Sequence, residues 1–303
     1  MYILNGINLN NIPFIGGRQE NSDIALSGFF DMPSRLGKTS HAWAIEHGIE
    51  PYVSAADIAL GGYGGRSLSL TGFIKGSNQL ECNSRFDALT LLIDGITGLV
   101  PLVSNWGTYM VYVNAPVVGE RVAPGLLSVK IPMREPVVDM SGVIPASTSS
   151  EFGIDGISFT ALGGASLKLA GDRWTRTAPK SQTVTVFGKE VAVITKKQEA
   201  ELILSLGIRD LTFEGLKNKV QNLMTLLKAP GLRNLTYKND KLRSFFVKDG
   251  FQASAIYTKR AIKFCVLEIK IIEPGISGTF TSITDVLGQL ITDNSNNTIT
   301  IRL

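Results

Sequence analysis

The sequence predicts a mainly β protein of the α+β class, in which one module, a β-sandwich or barrel with a single flanking helix, occurs twice in tandem. Three observations carry that prediction. The 31 Gly and 12 Pro fall between short runs of Val, Ile, Leu, Phe and Tyr, which is the punctuation of strands and turns. Helical spacing of apolar residues is clear over only two segments. The order of elements around the first segment recurs around the second. A length of 303 residues suits roughly two domains. A composition 44% hydrophobic and 18% charged supplies apolar surface for sizeable cores and excludes disorder over most of the chain.

In the first copy the run from Arg66 to Ile74 alternates, with Leu68, Leu70 and then Phe73, and predicts a strand with one buried face. A helix follows from 84 to 96, where Phe86, Leu89, Ile93 and Ile96 share a face; Ser84 with Asp87 three residues on reads as its capping box. It yields at Gly98 to a strand over 107–113 that carries Tyr109 and Val111. A loop through Gly119 to Gly125 leads to a strand from Leu126, which closes on Glu135-Pro136.

The second copy repeats the order. A strand over 200–207 carries Leu202 and Leu204. A helix over 215–229 has Leu216, Val220, Leu223 and Leu227 at i, i+4, i+7 and i+11 and ends at Pro230-Gly231. A strand around Ser244 carries Phe245 and Val247, and a last strand, 263–271, closes on Glu273-Pro274. Leu68 and Leu70 map onto Leu202 and Leu204 at a shift of 134, and the two Glu-Pro pairs are 138 apart, the drift that loop insertions produce. The expected division is 1–139 for the first domain, 140–150 for a linker of small residues, 151–275 for the second domain and 276–303 for an extension whose terminal alternation suits pairing with an edge.

Charge divides unevenly. Residues 1–150 hold 9 basic and 12 acidic side chains, net −3, and residues 151–303 hold 21 and 14, net +7. The basic half suits either a nucleic-acid or acidic-protein contact or an ordinary solvated lysine-rich surface. The N-terminus lacks the features of a signal peptide and no stretch is long and apolar enough to cross a bilayer, so a soluble, non-secreted product is expected.

Most catalytic chemistry lacks its residues. The only histidines are His41 and His47, and Cys82 and Cys265 stand 183 positions apart, so no metal centre, disulfide framework or nucleophile elbow is predicted. Gly61 to Gly65 leads into a strand and not a helix, which makes it a turn and not a phosphate loop. Asp57, Glu81 and Asp94 read as solvated acids near turns. Trp43, Trp106, Tyr109 and Tyr112 could form a sugar-stacking platform, although aromatics at strand spacing are more often core or interface residues. No enzyme activity and no cofactor are predicted.

Each module resembles the tail-tube-like domain of bacteriophage distal tail and tail-hub proteins. The resemblance rests on Phe30-Asp31-Met32-Pro33, on Glu50-Pro51-Tyr52, on the Arg66–Ile74 strand leading to the Phe86–Ile96 helix, and on the 107–113 strand with the strand ending Met133-Arg134-Glu135-Pro136. The second copy matches in element order, and the likeness covers nearly all of residues 1–275. It implies a virion component at the tail tip, assembled in the host cytoplasm. There it forms a ring between the tail tube and the host-recognition apparatus, through which DNA passes at ejection. The implied partners are further copies of the chain, the tail tube protein, tail-hub or fibre proteins and the tape-measure protein. Two modules per chain suit a trimer with pseudo-six-fold symmetry, with a hexamer as the competing arrangement. Leu68, Leu70, Phe73, Tyr109, Val111, Leu202, Leu204, Phe245 and Val247 are the expected ring-interface strand residues. Phe86, Leu89, Ile93, Leu216, Val220, Leu223 and Leu227 are the expected helix-packing residues. The rival from another class is a carbohydrate- or receptor-binding β-sandwich module.

Overall fold

The first hairpin is written in its turn. β1 (Tyr2–Leu4) and β2 (Ile7–Asn8) pair antiparallel across Asn5 and Gly6, whose φ angles are 50° and 77°. Two consecutive positive φ values match the twist of a two-residue hairpin, and Asn-Gly tolerates them best. The same device recurs 150 positions later, where β10 (Phe152–Ile154) and β11 (Ile157–Ser158) join across Asp155 and Gly156 at 52° and 79°.

After a 3-10 turn at Leu9–Asn11, β3 (Phe14–Gly16) and β4 (Leu26–Ser27) lie end to end along one side of β5 (Arg66–Lys75). In β5 the alternation holds: Leu68, Leu70 and Ile74 are buried and Ser67 and Lys75 exposed. α1 (Gln79–Asp94) starts earlier than the Ser84 capping box implies. Its N-cap is Asn78, whose side chain accepts from Glu81 N at 2.9 Å, while Glu81 accepts from Ser77 N at 2.7 Å. β6 (Val100–Ser104), β7 (Gly107–Val113), β8 (Val118–Ala123) and β9 (Leu126–Glu135) follow. The expected loop after Gly119 is therefore strand, a reading hidden by Gly119, Glu120 and Arg121, which carry no alternation. The sheet runs β2-β1-β6-β7-β9-β5-β3, with β4 also on β5 and β8 also on β9.

The second half comprises the β10–β11 hairpin, β12 (Gly164–Leu169), a separate hairpin of β13 (Pro179–Val186) and β14 (Lys189–Lys197), and β15 (Ala200–Asp210). Then come α2 (Phe213–Lys228), β16 (Arg233–Tyr237), β17 (Asp240–Phe245), β18 (Phe251–Tyr257) and β19 (Lys263–Glu273). Its strands are ordered β11-β10-β16-β17 and β12-β15-β19-β18. Among the described residues an antiparallel bridge, Phe246 to Ile272, links the two rows through main-chain bonds of 3.0 and 2.9 Å. Each of β10, β11, β12 and β15–β19 thus repeats the pairing of a first-half strand. β12 takes the place beside β15 that β3 and β4 take beside β5. The helices are in register too: the N-caps Asn78 and Thr212 stand 134 apart, and Cys82, Phe86, Leu89 and Ile93 occupy the positions of Leu216, Val220, Leu223 and Leu227.

The structure, a computed structural model, describes residues 1–19, 21–36, 62–146, 151–169, 179–186, 189–197, 200–229, 231–237, 240–273, 280–282 and 300–302. They belong to two compact units. One comprises Met1–Thr39, Val53–Arg176 and Glu201–Glu273 and so holds both repeated halves. One contiguous apolar core runs through it, from Leu4 and Phe14 to Leu267 and Ile271. At about 1.5–3 kcal/mol for each large aliphatic or aromatic side chain removed from water, that core is the main stabilising term. The other unit contains the β13–β14 hairpin and the antiparallel pair β20 (Phe280–Ser282) and β21 (Thr300–Arg302). Among the described residues no helix is long and apolar enough to cross a membrane.

Candidate functional site

The strand residues singled out from the sequence lie mostly inside. Leu68, Leu70, Tyr109, Val111, Leu204, Phe245 and Val247 are buried in the core of their own chain, and Phe73 and Leu202 are half-buried. Their ladders are also occupied: β5 bonds β9 along all ten residues on one side and β3 and β4 on the other, and β15 lies between β12 and β19. Of the helix residues, Leu89, Ile93, Leu216, Val220, Leu223 and Leu227 are buried and Phe86 is half-buried against the core. These residues build the wall; the surfaces left for contact are at its edges.

One such edge is already in use. β18 borders the second half, and a strap from the first half lies along it. Met32 pairs with Phe251, its N–H donating to Phe251 O at 2.9 Å, and Asp23 N donates to Ile256 O at 3.1 Å. Gly250, at φ 68°, lets the strap come this close, since a Cβ there would stand 2.0 Å from Met32 O. Carboxylates complete the seam: Asp31 accepts from Ala253 N at 2.9 Å, and Asp23 accepts from Thr258 N at 2.8 Å and Lys259 N at 2.6 Å. Their environments push them apart. Burial opposes ionisation of Asp23, but the Lys259 and Thr258 N–H groups outweigh it and hold this carboxyl below its usual range. For the deeper Asp31 burial wins over Ala253 N–H and Arg66 and raises it.

The strap then crosses to the end of α2. Arg35 donates to Val247 O and to Leu227 O, both at 2.8 Å, and Tyr63 donates to Lys228 O at 3.2 Å. A cation there meets the negative end of the helix dipole. Burial pushes the Tyr63 phenol up to about 12, against the pull of Arg35. Of the glycine run, Gly61 lies outside the described residues, and Gly62 and Gly64 flank Tyr63, which forms an antiparallel bridge with Arg35 of the strap. At the other end of α2, Phe213 packs on Phe29, Phe30 and Trp106, with ring centroids 6.0, 5.7 and 4.8 Å away. Between the ends, Thr225 donates to Met140 O at 2.6 Å and Asn222 accepts from Val143 N at 2.8 Å.

The repeated Glu-Pro closures each hold a buried ion pair. Glu135 meets Arg66 of β5 at 2.6 Å, and Glu273 meets Arg243 of β17 at 2.5 Å. The acid is repeated and the arginine comes from a different strand. Arg66 also donates to Phe29 O at 2.6 Å, tying the wall to the strap. Burial raises Glu135 in spite of Arg66. Nothing in the spacing of these residues announced the pairs.

Two of the outer edges, β8 and β12, are exposed and have no second partner among the described residues. β8 pairs only with β9, and its residues from Val118 to Val122 are exposed. β12 pairs only with β15, and Ala165 to Lys168 are exposed. Both are strand edges with unused main-chain donors and acceptors, the form that invites another strand.

Chemical sites are sparse. Among the described residues no group of three or more His, Cys, Asp and Glu could hold a metal. Cys82 and Cys265 are buried, and burial pushes the Cys265 thiol up to about 12. Glu81 is engaged by Ser77 and Arg85 at the start of α1, and Asp94 is exposed at its end. An open cleft lined by Thr160, Arg209, Asp210 and Lys219 is spanned by its own Lys219–Asp210 pair at 2.7 Å. Trp106 and Tyr109 form no platform: Trp106 packs on Phe213, and buried Tyr109 donates to Trp106 O at 2.9 Å. His41, Trp43, His47, Glu50-Pro51-Tyr52, Asp57 and Trp174 lie outside the described residues.

No family model matches the sequence, and no curated protein matches it. Among solved structures the chain is similar to the Dit protein of SPP1, described as a paradigm of the hub adsorption apparatus in phages that infect Gram-positive bacteria. The two are 13% identical, and the alignment covers 90% of this chain and 97% of that one, with a TM-score of 0.33.

Proposed function

We propose that the chain is a structural component of a bacteriophage tail tip, forming a ring that joins the tail tube to the host-recognition apparatus and lets DNA pass. Its two halves, 1–139 and 151–275 with 140–150 between them, act as successive modules of that ring, and 276–303 is a C-terminal extension of the sequence. Three copies supply six modules, which favours a trimer with pseudo-six-fold symmetry over a hexamer. The strands around 68–73 and 202–206 form the wall and α1 and α2 pack against it. Tube, hub or fibre and tape-measure proteins are the neighbours this reading implies, and it assigns no catalytic step.

The observation that carries the reading is the joint itself. Two halves with the same strand pairing are connected head to tail by main-chain bonds, Met32 to Phe251 and Asp23 to Ile256. A head-to-tail contact between like modules closes into a ring when its rotation divides a full turn. The test is the fate of the protein in particles: purified tails probed with an antibody to this chain should be labelled at one end. A strictly monomeric protein that never associates with tails would overturn the reading.

A further inference from the structure

We propose that the β8 edge and the open face of α1 in one copy receive the β12 edge of a second copy, head to tail, as β18 and α2 receive the strap within the chain. The proposal deepens the ring reading and rests on it, since it names the surfaces that would join one copy to the next.

The argument is one of equivalence. Within the chain, the segments on either side of β4, which flanks β5, meet β18 of the other half through Ser22 and Met32. β12 is the counterpart of β3 and β4, and β8 is the counterpart of β18, each paired with the closing strand of its half. One chain therefore uses one of two equivalent joints, and the two surfaces of the other, β8 and β12, have no second partner among the described residues.

The helices tell the same story independently. The strap covers Phe213 at the start of α2, and residues 140–143 cover the side that includes Thr225. At the 134-residue shift the position of Thr225 on α1 is held by Leu91, 75% exposed, and Leu80, 80% exposed, lies eleven residues earlier on the same side of α1. Val118 and Val122 of β8, 59% and 57% exposed, add to the apolar surface on this half. Charge favours the pairing: residues 1–150, which include β8 and α1, have net charge −3, and residues 151–303, which include β12, have +7. A head-to-tail joint sets unlike halves together, whereas a two-fold contact through either edge sets like against like.

The experiment blocks each end in turn. Val118→Lys with Val122→Lys places charges on the β8 edge, and Leu167→Asp places one on β12; all three positions are exposed, so the fold is retained. A second pair, Leu91→Lys on α1 and Ala165→Lys on β12, guards against a local effect of the first. Sedimentation of full-length protein should give a closed oligomer for the wild type and a monomer for each blocked variant. An equimolar mixture of a β8-blocked and a β12-blocked variant should give a species of twice the monomer mass and nothing larger, because each keeps the end the other lacks. A wild-type monomer at the highest attainable concentration, blocked variants that assemble like wild type, or a mixture that stays monomeric would each overturn the proposal. Failure of the tail reading is visible separately: absence of the chain from purified tails removes that role and leaves the mass arithmetic as it stands.

Discussion

α1 and α2 are the same helix in two settings. Both span 16 residues, both are capped from a side chain three residues ahead of the bonded N–H, and both press four apolar positions at matching spacing onto their sheet. They differ on the other side. α2 is covered by Phe29, Phe30 and Met140 of the first half, and its buried set grows to include Met224 and Leu226; the equivalent Thr90 and Leu92 of α1 are only half-buried. The inner stripe follows from helical period, and the outer one depends on what chain passes over it.

The comparison can be broken most forcefully at the closing pair of the first half. Removing Glu135 leaves Arg66 buried without its partner, and Glu135→Ala is expected to cost about 3–5 kcal/mol in equilibrium unfolding. Replacing both, Arg66→Met with Glu135→Leu, should recover most of that loss, which would mark the pair as a device of specificity and not of net stability.

Next in size is the aromatic joint. Phe213→Ala removes the ring that meets Phe29, Phe30 and Trp106 and should cost about 2–3 kcal/mol, with Gln79→Ala at the equivalent position of α1 within about 0.5 kcal/mol of wild type in urea titration. Equal losses at the two sites would mean that α1 is covered as fully as α2.

The strap supplies a pH-dependent term. Asp23 has its carboxyl pKa lowered by folding, so its contribution is fully present above the unfolded value of 3.8 and is lost as pH falls through the lower folded value. Asp23→Asn should therefore destabilise the protein by about 1–2 kcal/mol at pH 7, with the gap to wild type closing below about pH 4. A gap that persists at low pH would assign the loss to packing and not to the charged hydrogen bonds.

The smallest effect is the most diagnostic. Leu80→Lys with Leu91→Lys should shift the melting temperature of the separated subunit by less than about 2 °C, because exposed positions contribute little to the fold. The same change should abolish assembly. A large loss of subunit stability would show that this face of α1 is already packed within the chain.

Much of the wall was legible because it is periodic. Alternation located β5, β7 and β9, spacing located α2 almost to its ends, and the 134-residue shift carried the match from strand to helix. Elements whose side chains do not alternate were not legible. β8 is exposed along both faces, and β6 contains Pro101, which argues against an interior strand; it sits one residue past Leu102, the last partner of β1. The α1 cap was misplaced because Asn78 precedes a first turn with little apolar signal. The Asn5-Gly6 and Asp155-Gly156 turns stand in the sequence as dipeptides, but each flanking strand has only two or three residues, too few to show alternation.

By itself, then, the sequence determined the repeated module, the burial of its strand and helix stripes and the absence of the spacings that metal or nucleophile chemistry requires. These are local properties, set by period, turn chemistry and residue type over a few turns of chain. Only the tertiary structure decided that Asp23 and Asp31 reach residues more than 200 positions away, that β18 meets the strap while β8 has no second partner among the described residues, and that the buried arginines come from different strands. Long-range pairing is selected by the fit of whole surfaces, and no window of sequence contains both sides of that fit.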